Sequence, residues 1–342
     1  MRAALVRAHG AFDAVRVETV PTPRLGPGEV LVRVRAAGVN HLDAWVRRGL
    51  PGVKLPMVLG SDAAGEIVAL GPGAERCGLP VGARVFLYPA TSCGRCRACA
   101  RGDDPLCADY AIFGEHISGV QAEYAVVPWT SVLALPERLS FEEGAAFPLT
   151  FLTAWHMLVR RAQVRLGEWV LVQAAGSGVG AAAVQIARLH GARIIATAGG
   201  AEKCRRALAL GADHAVDYTA HSFRDEALRV SEGAGMDVVV EHVGAATFKD
   251  SLRALARGGR LVTCGATTGP KVELHLPALF MKGVSILGST MGSRAEMMDV
   301  AARFAAGQLR AVVDRVLPLA EVATAHRLLE ERAVFGKVVL LP

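Results

Sequence analysis

The stretch Trp169-Val-Leu-Val-Gln-Ala-Ala-Gly-Ser-Gly-Val-Gly180 decides how this chain of 342 residues folds. The apolar run from Trp169 to Ala174 reads as a buried strand, and the spacing from Val179 to His190 reads as a helix. Between them, Gly176, Ser177, Gly178, Val179 and Gly180 are small. They let the backbone turn tightly and aim the amides of the helix N-terminus at a pyrophosphate. Alone, a glycine-rich turn also marks ordinary loops. One that follows a strand and opens a helix within a series of βα units points to a dinucleotide.

Downstream the rhythm continues. Arg193 to Thr197, His214 to Asp217, Asp237 to Glu241 and Arg260 to Gly265 read as strands, with a helix from Ala201 to Leu210 and further helical segments between. Apolar strands alternating with amphipathic crossovers predict a parallel sheet buried on both faces, in the α/β class. Upstream, residues 1–126 read as mostly β. Val30 to Arg35, Gly65 to Leu70 and Arg84 to Tyr88 are short strands, punctuated by turns such as Gly26-Pro27-Gly28 and Gly71-Pro72-Gly73. A small barrel-like domain is expected there. After about residue 266 the pattern is less regular, with helical spacing at Arg294 to Ala306 and Leu319 to Glu331 and a closing strand from Lys337 to Leu341.

Four of the seven cysteines lie in one loop, Cys93-Gly-Arg-Cys96-Arg-Ala-Cys99-Ala-Arg-Gly-Asp-Asp-Pro-Leu-Cys107. Thiolates at this C-x2-C-x2-C-x7-C spacing can converge on one Zn2+. Four sulfur ligands leave no open position for a substrate, so the site reads as structural. Disulfides would need an oxidising compartment, of which the sequence gives no sign. The bacterial ferredoxin run also opens C-x2-C-x2-C but continues x3-C-P, whereas here seven residues intervene and Ala108 follows Cys107. Four unpaired thiols in an arginine-rich loop are the remaining alternative.

The formal charge of +6 is spread along the chain rather than gathered in a lysine/arginine block or interleaved with aromatics, which argues against nucleic acid as a partner. No apolar run reaches the ~18 residues that cross a bilayer, and the opening Met-Arg-Ala-Ala-Leu-Val-Arg lacks a cleavage pattern. A soluble cytoplasmic protein, with no membrane partner, is expected.

The second strand of the βα series selects the cofactor. A carboxylate at its end would bond the ribose 2′-OH of NAD. This chain offers Thr197-Ala198-Gly199-Gly200 and no acid until Glu202. The space suits a 2′-phosphate, with Lys203, Arg205 or Arg206 to meet its charge, so NADP(H) is favoured over NAD(H). Tyr218 is expected at the edge of the adenosine pocket. A solvated helix face is the competing reading of the basic residues.

Taken together, the four-cysteine loop, Gly38-Val-Asn-His-Leu-Asp43, Val58-Leu-Gly-Ser-Asp62, Ala122-Glu-Tyr124, Thr153-Ala-Trp155, the glycine turn and Gly336-Lys-Val-Val-Leu resemble the zinc-containing medium-chain dehydrogenase/reductase superfamily over essentially the full length. The resemblance implies a GroES-like catalytic domain (1–126 and 266–342, its zinc lobe about 91–110). A Rossmann domain (127–265) interrupts it, with the active site in the cleft between. It also implies a homodimer or homotetramer, and Thr153, Leu287 and Ser289 near the nicotinamide. Lys337 falls where the family often sets a basic group near the pyrophosphate.

The alcohol dehydrogenase branch of that family binds a second, catalytic zinc through a cysteine after Gly-Val, the histidine of Gly-His-Glu and a further cysteine. Here those places hold Asn40, Gly60-Ser61-Asp62 and Leu149-Thr150-Phe151, and Leu42 replaces the hydroxyl of the proton relay. Asn40 with Asp43 resembles instead the quinone oxidoreductase and enoyl reductase branch, which uses NADPH without a catalytic metal. That branch commonly lacks the cysteine lobe, so this chain mixes features of both.

The expectation is therefore an NADPH-dependent oxidoreductase that passes hydride to a quinone, enone or related activated carbonyl or alkene. Asn40 is the first candidate to stabilise developing oxyanion charge and His41 the second. An alcohol/aldehyde dehydrogenase with altered zinc ligands is the alternative, and a cofactor-binding regulatory protein without turnover is a third. An unorthodox metal site at Asp62, His116 and His242 is a remote possibility.

Overall fold

The computed structural model describes every residue, Met1–Pro342, as two compact units. One comprises Met1–Leu149 and Ser293–Pro342, the other Thr150–Gly292.

In the first unit the strand Glu29–Val39 is the axis of a seven-stranded sheet. One edge of this strand pairs antiparallel with Asp62–Leu70. Its other edge is shared, with Tyr124–Pro128 along Glu29 to Arg33 and Lys337–Leu341 along Ala37 to Val39. The alternation Val30, Val32, Val34 buries one face against Ile67, Val85, Leu87 and Val127. A second core gathers Val39, Val46, Leu59, Val322, Leu329, Val338 and Leu340, so the helices His41–Arg48 and Val322–Glu330 pack on the end of the same sheet. The strand Arg2–Val6, absent from the sequence reading, pairs with Val15–Thr19 and Met57–Val58.

The second unit is a six-stranded, wholly parallel sheet. Its order is His214–Asp217, Arg193–Ala198, Trp169–Val172, Met236–Glu241, Leu255–Thr263, Ser285–Gly288. This is the doubly wound arrangement. Order reverses beside Trp169–Val172, at whose carboxyl end the glycine turn lies. Leu171, Ile195, Val239 and Leu261 are buried as expected for strands covered on both faces.

The unit boundaries differ from the expected breaks at 126/127 and 265/266. Phe141–Ala146, assigned from sequence to the cofactor domain, packs on the strands Glu29–Val39 and Asp62–Leu70 of the first unit. Ser285–Gly288, assigned to the catalytic domain, is the sixth parallel strand of the second. At four residues it is too short for periodicity to announce. The chain enters the second unit through a helix that is α-helical over Pro148–Trp155 and then widens to a π-helix over His156–Arg161.

Candidate active site and cofactor turn

Sheet register assembles a buried polar cluster from three distant segments. Gly38 stands opposite Asp62, and Val39 opposite Val338, so Asn40, Asp62 and Lys337 meet at one end of the axial strand. Gly38 must be glycine here, because a Cβ would lie 2.3 Å from the Ala145 carbonyl oxygen and 3.0 Å from the Asp62 Cβ. All three polar residues are at most 5 % exposed.

Lys337 Nζ donates to Val39 O at 2.9 Å, to Asp62 Oδ2 at 3.1 Å and to Asn40 Oδ1. An ammonium has three protons, and all three are committed. Lys337, expected beside the pyrophosphate, is thus buried with its charge matched inside the first unit. Asn40 Nδ2 donates to Asp62 Oδ2 at 2.9 Å, and Asp62 Oδ1 accepts from the Leu149 amide at 2.8 Å. With an ammonium on its oxygen and a carboxylate on its nitrogen, the Asn40 amide has one orientation. That geometry leaves it a single further N–H.

Asn40 also opens the helix His41–Arg48, and its backbone N–H donates to Asp43 Oδ2 at 2.8 Å. Asp43 Oδ1 accepts from the Gly60 amide at 3.0 Å, and burial pushes the Asp43 carboxyl up to about 6 against these donors. His41 is half-buried at the first helical position. Its charge helps keep the neighbouring His326 neutral, after burial and Arg47. Of the remote metal set, Asp62 is saturated as above, His116 Nδ1 accepts from the Ile112 amide, and His242 bonds Gln173 O. The four cysteines are the one group of three or more metal-ligating side chains brought together.

In the second unit Ser177 caps the helix Gly178–Leu189, its Oγ accepting from the Gly180 amide at 2.9 Å. A Cβ at Gly180 would lie 2.2 Å from the Ala174 carbonyl oxygen, so only glycine lets the turn close this tightly. Ala174 itself holds φ +47°. Its amide donates to Thr197 Oγ1, which donates to Gln173 Oε1; Gln173 Nε2 donates to Ser251 Oγ, which donates to the buried carboxylate of Glu241. Thr197, expected at the cofactor, is 1 % exposed and supports the turn from beneath.

At the end of Arg193–Ala198, a Cβ on Gly199 would lie 2.8 Å from the Tyr218 hydroxyl, so the two residues lie side by side. No carboxylate stands on that strand end; Asp217, on the next strand, accepts from the Gly200 amide and from Thr219. Lys203 is half-buried one turn into the following helix. Thr153 Oγ1 faces Met291 Sδ at 4.0 Å. Leu287 pairs with Val262, and Ser289 Oγ is buried with no partner in the chain, a polar atom that fits a bound group.

The Sγ atoms of Cys93, Cys96, Cys99 and Cys107 lie within 4.8 Å of one another, with Cys93–Cys99 at 3.9 Å and Cys96–Cys99 at 3.6 Å. A tetrahedron with ~2.3 Å Zn–S bonds has sulfur–sulfur edges of about 3.8 Å. The amides of Arg95 and Cys96 pull the Cys93 thiol down to about 6, favouring the thiolate a metal needs. Gly94 and Gly102, at φ +68° and +73°, supply the turns. The four residues fit a structural zinc.

The alcohol dehydrogenase GroES-like domain family matches residues 26–137, and the zinc-binding dehydrogenase family matches residues 178–306. The chain is 31% identical to the acryloyl-coenzyme A reductase of Metallosphaera sedula over 99% of both chains. It is 32% identical to the human quinone oxidoreductase over all of this chain and 98% of that one. A crystal structure described as an NAD-dependent alcohol dehydrogenase superposes with a TM-score of 0.96, at 50% identity over the whole of both chains. The fold, the glycine turn and these full-length similarities make the chain a member of the medium-chain dehydrogenase/reductase superfamily. It is an NAD(P)-dependent oxidoreductase of small molecules, with a GroES-like domain and a Rossmann domain. No helix is long and apolar enough to cross a membrane.

Proposed function

We propose that this enzyme uses NADPH to reduce a quinone, enone or related activated carbonyl or alkene, without a catalytic zinc. The observation that carries the reading is the Asn40–Asp62–Lys337 cluster. In the alcohol dehydrogenase branch a cysteine ligates zinc at the place of Asn40 and a histidine at the place beside Asp62; here they are Asn40 and Ser61. Ser61 Oγ donates to the Phe113 carbonyl, and the Lys337 ammonium already sits against Asn40 and Asp62. An amide, a committed hydroxyl and a resident cation do not fit a thiolate–imidazole zinc site.

The bound nicotinamide supplies the hydride. Asn40, held on both sides, offers its remaining N–H to the oxygen on which negative charge develops, at no reorganisation cost. The Gly176–Gly180 turn would hold the pyrophosphate, and Ser289 and Leu287 the nicotinamide end. Lys203 would meet the 2′-phosphate, in keeping with the bare strand end at Gly199. The similarity to an acryloyl-coenzyme A reductase and a quinone oxidoreductase supports acceptors of this class.

One observation favours the second reading, an alcohol/aldehyde dehydrogenase with altered ligands: the half-identical relative is described as an NAD-dependent alcohol dehydrogenase. Coupled oxidation of NADPH and NADH against enones, quinones and aldehydes, with zinc analysis on the same sample, separates them. The first reading expects enone or quinone turnover and about one zinc per chain. Two zincs, with alcohol oxidation by NAD+ and no enone or quinone reduction, overturn it. Lys203→Ala is expected to raise KM for NADPH about tenfold and to leave KM for NADH within about twofold; equal changes remove Lys203 from the 2′-phosphate.

A further inference from the structure

Gln121 is fully buried and polar, and no part of the sequence reading assigned it a task. Its backbone is fixed on both sides: the Gln121 amide donates to Leu59 O at 2.8 Å, and Gln121 O accepts from the Ala4 amide at 2.8 Å. The side chain occupies the space that Gly60 leaves. A Cβ on Gly60, already at φ +95°, would lie 2.4 Å from Gln121 Cγ. From there Nε2 donates to Gly38 O at 3.2 Å and to Asp43 Oδ2 at 3.1 Å.

Its two acceptors hold the parts of the active cluster. Gly38 is the residue opposite Asp62, and Asp43 ties the Asn40 amide to the Gly60 amide. One carboxamide therefore locks three pieces of chain together: the end of the axial strand, the start of the His41–Arg48 helix and the Gly60-Ser61-Asp62 turn. Gln121 Oε1 is buried with no partner. Reversing the amide would face that oxygen toward a carbonyl and a carboxylate, so Nε2 is the atom that meets both acceptors.

We infer that Gln121 is a positioning residue, which sets the Asn40 side-chain amide for the reaction by clamping, through Gly38 and Asp43, the backbone that carries it. The inference rests on the reading of Asn40 as the oxyanion donor.

The test is Gln121→Met, which keeps the volume and removes both donated bonds. The expected result is a kcat lowered about tenfold, KM for NADPH within about twofold, and faster hydrogen exchange in peptides covering residues 38–44 and 58–62. In the Asn40→Ala background, Gln121→Met is expected to lower kcat no further, since both changes remove one donor. Gln121→Asn keeps an amide too short to reach both acceptors and serves if Gln121→Met does not fold; it should lower kcat while NADPH binding persists. Wild-type exchange and wild-type kcat in the folded variant overturn the inference, as does an equal tenfold loss in both backgrounds. A different result separates the two ideas: full kcat in Asn40→Ala, with exchange still faster in Gln121→Met, keeps the clamp and removes Asn40 as donor.

Discussion

At the scale of single residues, this enzyme is governed by buried charges whose partners come from far along the chain. His326 is fully buried, accepts from Arg47 Nε through Nδ1, and neighbours the Arg47–Glu330 ion pair. Burial, then Arg47, then His41, push its pKa down to about 3. The unfolded chain binds the proton more readily, so His326 contributes stability that is full above its ordinary value near 6.5 and is lost as pH falls toward 3. At ~1.4 kcal/mol per unit, the loss between pH 7 and pH 4.5 is about 3 kcal/mol. Asp43, pushed up, works in the opposite sense, losing stability as pH rises through about 6. His326→Gln keeps an acceptor for Arg47 and does not titrate. Urea unfolding at the two pH values should therefore show the wild type losing about 3 kcal/mol more than the variant, with the Asp43 contribution cancelling between them; matching losses would exclude His326 as the source.

Among the elements, the cysteine lobe is the one whose order a metal would supply. It consists of a four-residue helix, Arg97–Ala100, a single 3-10 turn at Asp104–Leu106 and the two-residue strand pair Ala90–Thr91 with Ala111–Ile112. Such short pieces bury little apolar surface of their own. The lobe is also joined to the rest of the unit, since Asp104 Oδ2 accepts from the Arg294 amide at 2.8 Å, at the start of the helix Arg294–Ala305. Cys96→Ser is expected to abolish zinc retention and lower Tm by several degrees, with activity lost in step with folded protein. A stably folded, zinc-free Cys96→Ser protein that loses kcat alone would assign the metal a catalytic part.

For the molecule as a whole, the open question is what covers the last strand of the parallel sheet. Ser285–Gly288 stands at the sheet edge, and just before it the helix Leu276–Lys282 exposes Phe280 and Met281 at 70 % and 69 %, with Leu276 and Leu274 also exposed. An apolar patch beside an unpaired strand edge suits a second copy of this chain, in keeping with the homodimer or homotetramer proposed from the resemblance. If this patch seals an oligomer, the wild type should sediment above 35.9 kDa and Phe280→Asp as a monomer that still binds NADPH; equal sedimentation of the two would remove the patch as an interface.

The division between sequence and structure follows from the range of the forces involved. Local pattern was enough for the Rossmann series, because strand, glycine turn and helix succeed one another within a dozen residues and each demands its own periodicity. It was enough for the four cysteines too, since their ligand spacing lies within one loop. Tertiary structure alone decided the unit boundaries, where a short sixth strand and one helix changed sides. It alone gathered Asn40, Asp62 and Lys337 across nearly three hundred residues by the register of one strand. It also showed Thr197 and Lys337 to be interior and hydrogen-bonded within the chain, and made Gln121 visible. Burial and hydrogen-bond partnership are properties of the packed chain, and nothing in the identity of a glutamine or a lysine announces them beforehand.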